Sequence, residues 1–257
     1  MFFDILVFRK WSFYGHSSFL IKILKIIYIY CSLTRNLFYV NLYKCFQVMV
    51  QYYQWRNAMK NLLIVFEGLD GSGKTTQIDM LHQWFENKKL KVFTTKQPTD
   101  YYRNDKRVRD YLDNGIAPNM YSIALLAAAD RTYQITSEIF PKISESNIIC
   151  DRYLYSSLAF FKARGIDYKE ILMINKGVPT PDVTVFLDVP PERALERVRQ
   201  RDGEDIKYEE KNELVFNQVR QNFLDVLPKN ALIVDSTLGI DKVHQIITNF
   251  VSEVMDK

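Results

Sequence analysis

Cysteine is scarce in this chain. The three present in 257 residues, Cys31, Cys45 and Cys150, have neither the spacing of a disulfide framework nor that of a zinc site. Cys150 ends an apolar run and reads as a buried thiol, so the expected compartment is reducing and cytoplasmic. Histidine is equally sparse: beyond residue 60 only His82 and His244 occur, neither inside a motif. Acid is nearly missing from residues 1–60, where Asp4 stands alone against eight Lys and Arg, a balance of +7. The formal +4 of the whole chain therefore leaves −3 for residues 61–257, which excludes a basic nucleic-acid-binding face there. No apolar run is long enough for a membrane span; the best candidate, FLIKILKIIYIYC at 19–31, is short and broken by Lys22 and Lys25. No internal repeat or low-complexity linker follows residue 60.

The length allows one sizeable domain with an appendage. Residues 1–60 hold sixteen of the 36 aromatic residues and differ in composition from everything after them. Met59 precedes the first clear strand by a few residues. We therefore expect 1–58 to be an extension outside the folded protein, with a targeting or membrane-surface role as the other reading, and 59–257 to be the domain. From Asn61 onward short β-branched runs alternate with amphipathic ones. Strands are expected at 62–66, 91–95, 146–150, 183–189 and 231–235. Helices are expected at 74–89, 104–113, 120–143, 152–164, 191–201, 209–227 and 240–256. Such alternation predicts an α/β fold with a parallel sheet covered on both faces.

The run LLIVFEGLDGSGKTTQ joins the first strand to the first helix and satisfies G-x-x-x-x-G-K-[ST] from Gly68 to Thr75. Glycines there let successive backbone N–H groups turn inward as a nest for phosphate oxygens at the positive end of a helix. The expected ATP-binding run is Gly68, Leu69, Asp70, Gly71, Ser72, Gly73, Lys74, Thr75 and Thr76. Lys74 supplies a point charge to the β- and γ-phosphates, and the Thr75 hydroxyl is placed to ligand Mg²⁺. Two classes of triphosphate-binding protein are disfavoured. The guanine-reading N-K-x-D fails at Asn175-Lys176, and the apolar strand ends in Asp151-Arg152 rather than Asp-Glu. An acid followed by an arginine suits a site holding Mg²⁺ and a second phosphate together, which points to a kinase for a small phosphorylated acceptor.

These residues resemble a known family. EGLDGSGKTTQ, the QP pair at 97–98, AADR at 128–131, DRYLYSS at 151–157 and PDVTVFLDVPPERALERVRQR at 181–201 are together similar to thymidylate kinase, over essentially all of 60–257 and none of 1–58. The resemblance implies a P-loop kinase fold whose five-stranded parallel sheet, flanked by helices, runs in the order 2-3-1-4-5. It also implies a LID segment at about 196–211, ATP and dTMP as substrates, Mg²⁺ as cofactor, and a homodimer. Matched motif by motif, Asp70 stands near the acceptor sugar and phosphate, unless it only caps the turn. Arg131 reaches the acceptor, Asp151 and Arg152 organise metal and acceptor phosphate, and Ser157 of DRYLYSS contacts the acceptor. Phe160 lies against the deoxyribose, unless it is ordinary core. A LID cation is expected at Arg197 and Arg201, which share one helix face; a solvated charge run is the alternative. The chain departs from the pattern at Lys96-Gln97, where Arg-Glu is usual, at Ala127, where a stacking phenylalanine is usual, and at Phe161, where a glutamine is frequent. The expected activity is transfer of the ATP γ-phosphoryl to dTMP. Another (deoxy)nucleoside monophosphate, a deoxynucleoside, or a catalytically weak nucleotide-binding module are the alternatives.

Overall fold

The protein is described here by a computed structural model covering residues 61–203 and 207–256; the expected extension at 1–58 lies outside these residues. Five strands, β1 (Leu63–Glu67), β2 (Val92–Lys96), β3 (Asn147–Asp151), β4 (Val183–Asp188) and β5 (Leu232–Asp235), form one sheet. Its order is β2-β3-β1-β4-β5, with every pairing parallel. The helices are α1 (Lys74–Asn87), α2 (Asp100–Asn104), α3 (Lys106–Asn114), α4 (Met120–Gln134), α5 (Phe140–Ile143) and α6 (Leu154–Ala163). After these come α7 (Tyr168–Ile174), α8 (Pro191–Asp202), a 3₁₀ turn (Tyr208–Lys211), α9 (Glu213–Val226) and α10 (Ile240–Met255). Among them no helix is long and apolar enough to cross a membrane.

Central β1 is buried along its whole length, as expected of a strand paired on both edges and covered on both faces. Its alternate residues divide between two layers. Ile64 and Phe66 pack with Ile78, Leu81 and Phe85 of α1 and Val243, Ile247 and Val251 of α10. Leu63 and Val65 face Ile135 and Ile139 on the other side. Phe66 of β1 lies opposite Asp151 of β3, so the two strand ends that carry the motifs are neighbours. From these ends the chain leaves in opposite directions across the sheet, the crevice where ligands of open α/β sheets bind.

Several boundaries differ from expectation for identifiable reasons. β1, β2 and β3 begin and end one residue later than their apolar runs, because the polar Glu67, Lys96 and Asp151 still join the backbone ladder. The helix expected from residue 152 starts at Leu154, since Arg152 has φ +67° and Tyr153 is not helical. The single helix expected at 120–143 is interrupted by a π-turn at Ile135–Ile139 just before Pro141, a residue with no N–H to return to the preceding turn. Two short helices, α2 and α7, escaped the periodicity reading. α7 is set by a capping box in which Asp167 and Glu170 satisfy each other's backbone N–H. Of the segment expected as the LID, residues up to Asp202 continue α8, and the chain returns as the 3₁₀ turn.

Candidate active site

β1 delivers its last residues into a loop that tolerates no side chain at two points. A Cβ on Gly68 would come within 2.8 Å of the Leu187 carbonyl oxygen, and one on Gly71 would collide with the Ala194 carbonyl of α8. The loop is thus pressed against its neighbours and its shape is imposed by packing. Gly73, at φ +91°, opens α1 without any side-chain cap, leaving the helix's first N–H groups facing the place where phosphate oxygens are expected. Lys74 is almost wholly buried, with Nζ donating to the carbonyls of Gly68 (3.1 Å) and Leu69 (2.8 Å). Burial, reinforced by the nearby Arg152 charge, brings its ammonium down to about 8.

A second layer of the site comes from the β3–α6 junction. Glu67, fully buried at the end of β1, accepts from Tyr153 N (2.9 Å), Ser156 N (3.2 Å) and Ser156 Oγ (2.5 Å). Its carboxylate caps the start of α6 from another strand, and burial raises its pKa. That cap fixes Arg152 just ahead of the helix. Arg152 Nη1 donates to Gly68 O (2.9 Å) and Ser156 Oγ (3.1 Å), while Nη2 donates to Asp70 Oδ1 at 2.6 Å. Asp70 Oδ2 in turn accepts from Lys207 Nζ at 3.3 Å. Burial alone would raise Asp70, but the charges of Arg152, Lys207 and Lys74 outweigh it and hold the carboxyl well below its ordinary range.

Beyond Asp70 a cleft opens, lined at one end by Asp70, Arg152 and Lys207. Its walls include Phe160, Phe161, Ala127, Tyr102, Arg131, Ser157, Arg164 and Glu209. The Phe160 ring has two guanidinium groups near it, Arg152 at 5.2 Å and Arg164 at 5.6 Å from its centre. Arg131 is 2% exposed, and each of its nitrogens is engaged. Nε donates to Gln97 Oε1 (2.9 Å), Nη1 to Asn175 Oδ1 (2.5 Å), and Nη2 to Ser157 Oγ (2.6 Å) and Tyr153 O (3.2 Å). At the far end Arg164 forms a fork–fork pair with Glu209 (2.8 and 2.6 Å), and Tyr111 Oη donates to the same carboxylate at 2.8 Å. Burial would raise Glu209, but Arg164 and Tyr111 hold it lowered.

The expected residues are therefore not all in one place. Asp70, Arg131, Arg152, Ser157 and Phe160 line one cleft, and Leu69 sends its side chain into the core while its backbone serves the loop. Thr75 and Asp151 share a separate recess on the β2 side, with Thr95 and Glu138. There Asp151 Oδ1 is buried without a hydrogen-bond partner. Arg197 donates to Gly71 O (3.1 Å) behind the glycine loop, whereas Arg201 pairs with adjacent Asp202 at the surface, outside the cleft. The cation that the LID segment brings to Asp70 is Lys207, which the arginine spacing did not reveal. Glu67, Arg164, Glu209 and Tyr111 were also missed. A Glu at the end of β1 was visible in the quoted motif, but its partners lie 86 and 89 residues away.

A family model for thymidylate kinase matches residues 66–247. A probable thymidylate kinase of Pyrococcus horikoshii is 37% identical over 201 residues, covering 75% of this chain and 97% of that protein. Another of Methanococcus aeolicus is 36% identical over 205 residues, 77% of this chain and 97% of the relative. One of Staphylothermus marinus is 35% identical over 196 residues, covering 74% and 94%.

Proposed function

The chain belongs to the thymidylate kinase family, and from that premise we propose that it transfers the γ-phosphoryl group of ATP to the 5′-phosphate of dTMP, giving dTDP and ADP. One observation carries this reading: Asp70, inside the phosphate-binding loop, also lines the cleft that holds Arg131, Ser157 and Phe160, and is bridged there by Arg152 and Lys207. Donor and acceptor sites therefore meet at one carboxylate with two cations beside it.

In this reading the ATP phosphates lie in the loop from Gly68 to Thr76, against its inward N–H groups and Lys74. An oxygen of the dTMP phosphate attacks the γ-phosphorus, a new P–O bond forms, and the bond to the β-phosphate oxygen breaks, leaving ADP. The nucleophile is already anionic at neutral pH, so the site needs no strong base, which agrees with the absence of histidine from the cleft lining. Arg152 holds the acceptor phosphate and Lys207 adds charge as the reacting oxygens gather negative charge. Arg197 steadies the loop through Gly71 O. Phe160 lies against the sugar. Mg²⁺ fits the recess holding Thr75 and Asp151: a hydroxyl, an unpartnered buried carboxylate oxygen and open space for water suit a hard cation that keeps much of its hydration. When bound, Mg²⁺ neutralises charge between the β- and γ-phosphates.

A coupled ADP assay across dTMP, dUMP, dCMP, dGMP, AMP and thymidine tests the proposal. The expected result is Mg²⁺-dependent turnover fastest with dTMP and abolished by EDTA; no turnover of dTMP would sink it.

We also infer a homodimer. α4 exposes Leu125 and Tyr133 (71% exposed), and the neighbouring α7 exposes Leu172 and Met173 (65%) to solvent. A two-fold helix pairing would cover such a patch with its own copy. Sedimentation of the native chain should give a dimer, and Leu125→Asp a monomer. A monomeric native protein at micromolar concentration would refute this assembly.

A further inference from the structure

Glu67 holds a core position and yet is an acid. It follows Leu63 and Val65 at every second residue of β1, on the face that packs against Ile135 and Ile139, and is 0% exposed. A carboxylate is tolerated there only if its oxygens find donors. Oε1 accepts from Tyr153 N and Ser156 N, and Oε2 from Ser156 Oγ. Tyr153, at the cap position of α6, supplies no side-chain cap of its own, so the helix start is tied to the end of β1 instead. The Ser156 hydroxyl has one proton and gives it to Glu67. Its lone pairs remain, and one accepts from Arg152 Nη1 at 3.1 Å. Ser156 thus joins the carboxylate to the guanidinium. The surrounding charges favour the same arrangement. Lys74, Arg131 and Arg152 are all buried, and the hydrogen bonds of Lys74 and Arg131 to described residues go to neutral acceptors. Burial disfavours the charged form of all three, and the charge of Glu67 is among those that oppose it.

We propose that Glu67 is a positioning residue for phosphoryl transfer, holding Arg152 in place for the acceptor phosphate through the Ser156 hydroxyl. The inference rests on the kinase reading above and deepens it. Arg152 is gripped by two carboxylates, directly by Asp70 on Nη2 and through Ser156 by Glu67 on Nη1. Asp70 lines the cleft and meets an incoming phosphate, whereas Glu67 is sealed from it and anchors the guanidinium from behind. Glutamine has the shape of this carboxylate but fails in its place. With the amide oxygen on the two backbone N–H groups, the amide nitrogen meets Ser156 Oγ as a second donor beside Arg152, and the hydroxyl proton loses its acceptor. The charge that offsets the buried cations is lost as well.

The test is a double-mutant cycle on the full chain, with initial rates against varied dTMP at saturating ATP for the native protein, Glu67→Gln, Arg152→Lys and both together. The expected result is a kcat/KM for dTMP about thirtyfold lower in Glu67→Gln, as for loss of a hydrogen-bonded charge. Once Arg152 is lysine, the same change should cost about threefold or less, because the guanidinium it aims is gone. A purely structural role would cost the same factor in both backgrounds. That outcome, or native kinetics in Glu67→Gln, would overturn the assignment while leaving the kinase reading intact. Native protein that never phosphorylates dTMP would overturn both. Should Glu67→Gln fail to fold, the cycle is run with Ser156→Ala, which keeps both backbone N–H groups on Glu67 and removes only the linking oxygen. A loss of about tenfold that disappears in the Arg152→Lys background supports the link. No loss, or an equal loss in both backgrounds, refutes it.

Discussion

Lys74→Ala is expected to lower kcat/KM for ATP by about 10³-fold, roughly 4 kcal/mol of transition-state stabilisation, without unfolding the protein. The loss follows from the position of Nζ. It is held over the loop carbonyls that a triphosphate would displace as its partners, whereas Lys207 reaches the loop only at the Asp70 carboxylate. The fold survives because both carbonyls keep another donor. Gly68 O still accepts from Arg152 (2.9 Å) and Leu69 O from Ser72 N (3.3 Å). The depressed Lys74 pKa adds a pH signature. In the free protein the ammonium is lost as pH rises through about 8, so kcat/KM for ATP falls above that pH. Bound ATP brings anionic phosphates that restore the charge, so kcat stays level further into the alkaline range. For stability the sign is opposite to that of a paired lysine. Between about 8 and the ordinary 10.5 the unfolded chain binds more protons than the folded one, so stability contributed by this group rises with pH across that window. Urea unfolding at pH 7 and 9.5 should show that rise in the native chain and its loss in Lys74→Ala. Activity of the variant within tenfold of native would refute the role.

Arg152→Lys is expected to cost nearly as much as removal of the side chain, about 10²-fold in kcat/KM for dTMP. The guanidinium makes three bonds in two directions: Gly68 O and Ser156 Oγ through Nη1, and Asp70 Oδ1 through Nη2. An ammonium cannot reproduce that fork, so Asp70 and the loop would lose their common anchor. The residue also holds φ at +67°, a conformation tolerated only because neighbours over-determine it. Rates measured against varied dTMP at saturating ATP should show both a raised KM and a lowered kcat. A variant with native dTMP kinetics would remove Arg152 from the acceptor site.

Much of this site could be read locally. The glycine-rich loop is a contiguous string whose chemistry depends on spacing and on a strand before and a helix after, all visible along the chain. Asp151-Arg152 at the end of an apolar strand was readable for the same reason. The ends of β1, β2 and β3 were read one residue early because hydrophobicity stops before the backbone ladder does. The LID cation was sought by helical spacing. The arginines do lie in regular helix α8, but it is Lys207, beyond Gly203, that returns to Asp70 across 137 residues.

The sequence by itself determined the α/β class, the phosphate-binding loop and the acid–arginine pair, since each depends on residues within a few positions of one another. Only the tertiary structure decided that Glu67 caps α6, that Arg131 is saturated by its neighbours, and that Glu209 takes up both Arg164 and Tyr111. The physical reason is range. Periodicity and motif spacing record what the backbone does over a turn or a strand. Hydrogen bonds spanning 22 to 98 residues exist only once the fold has brought those segments together.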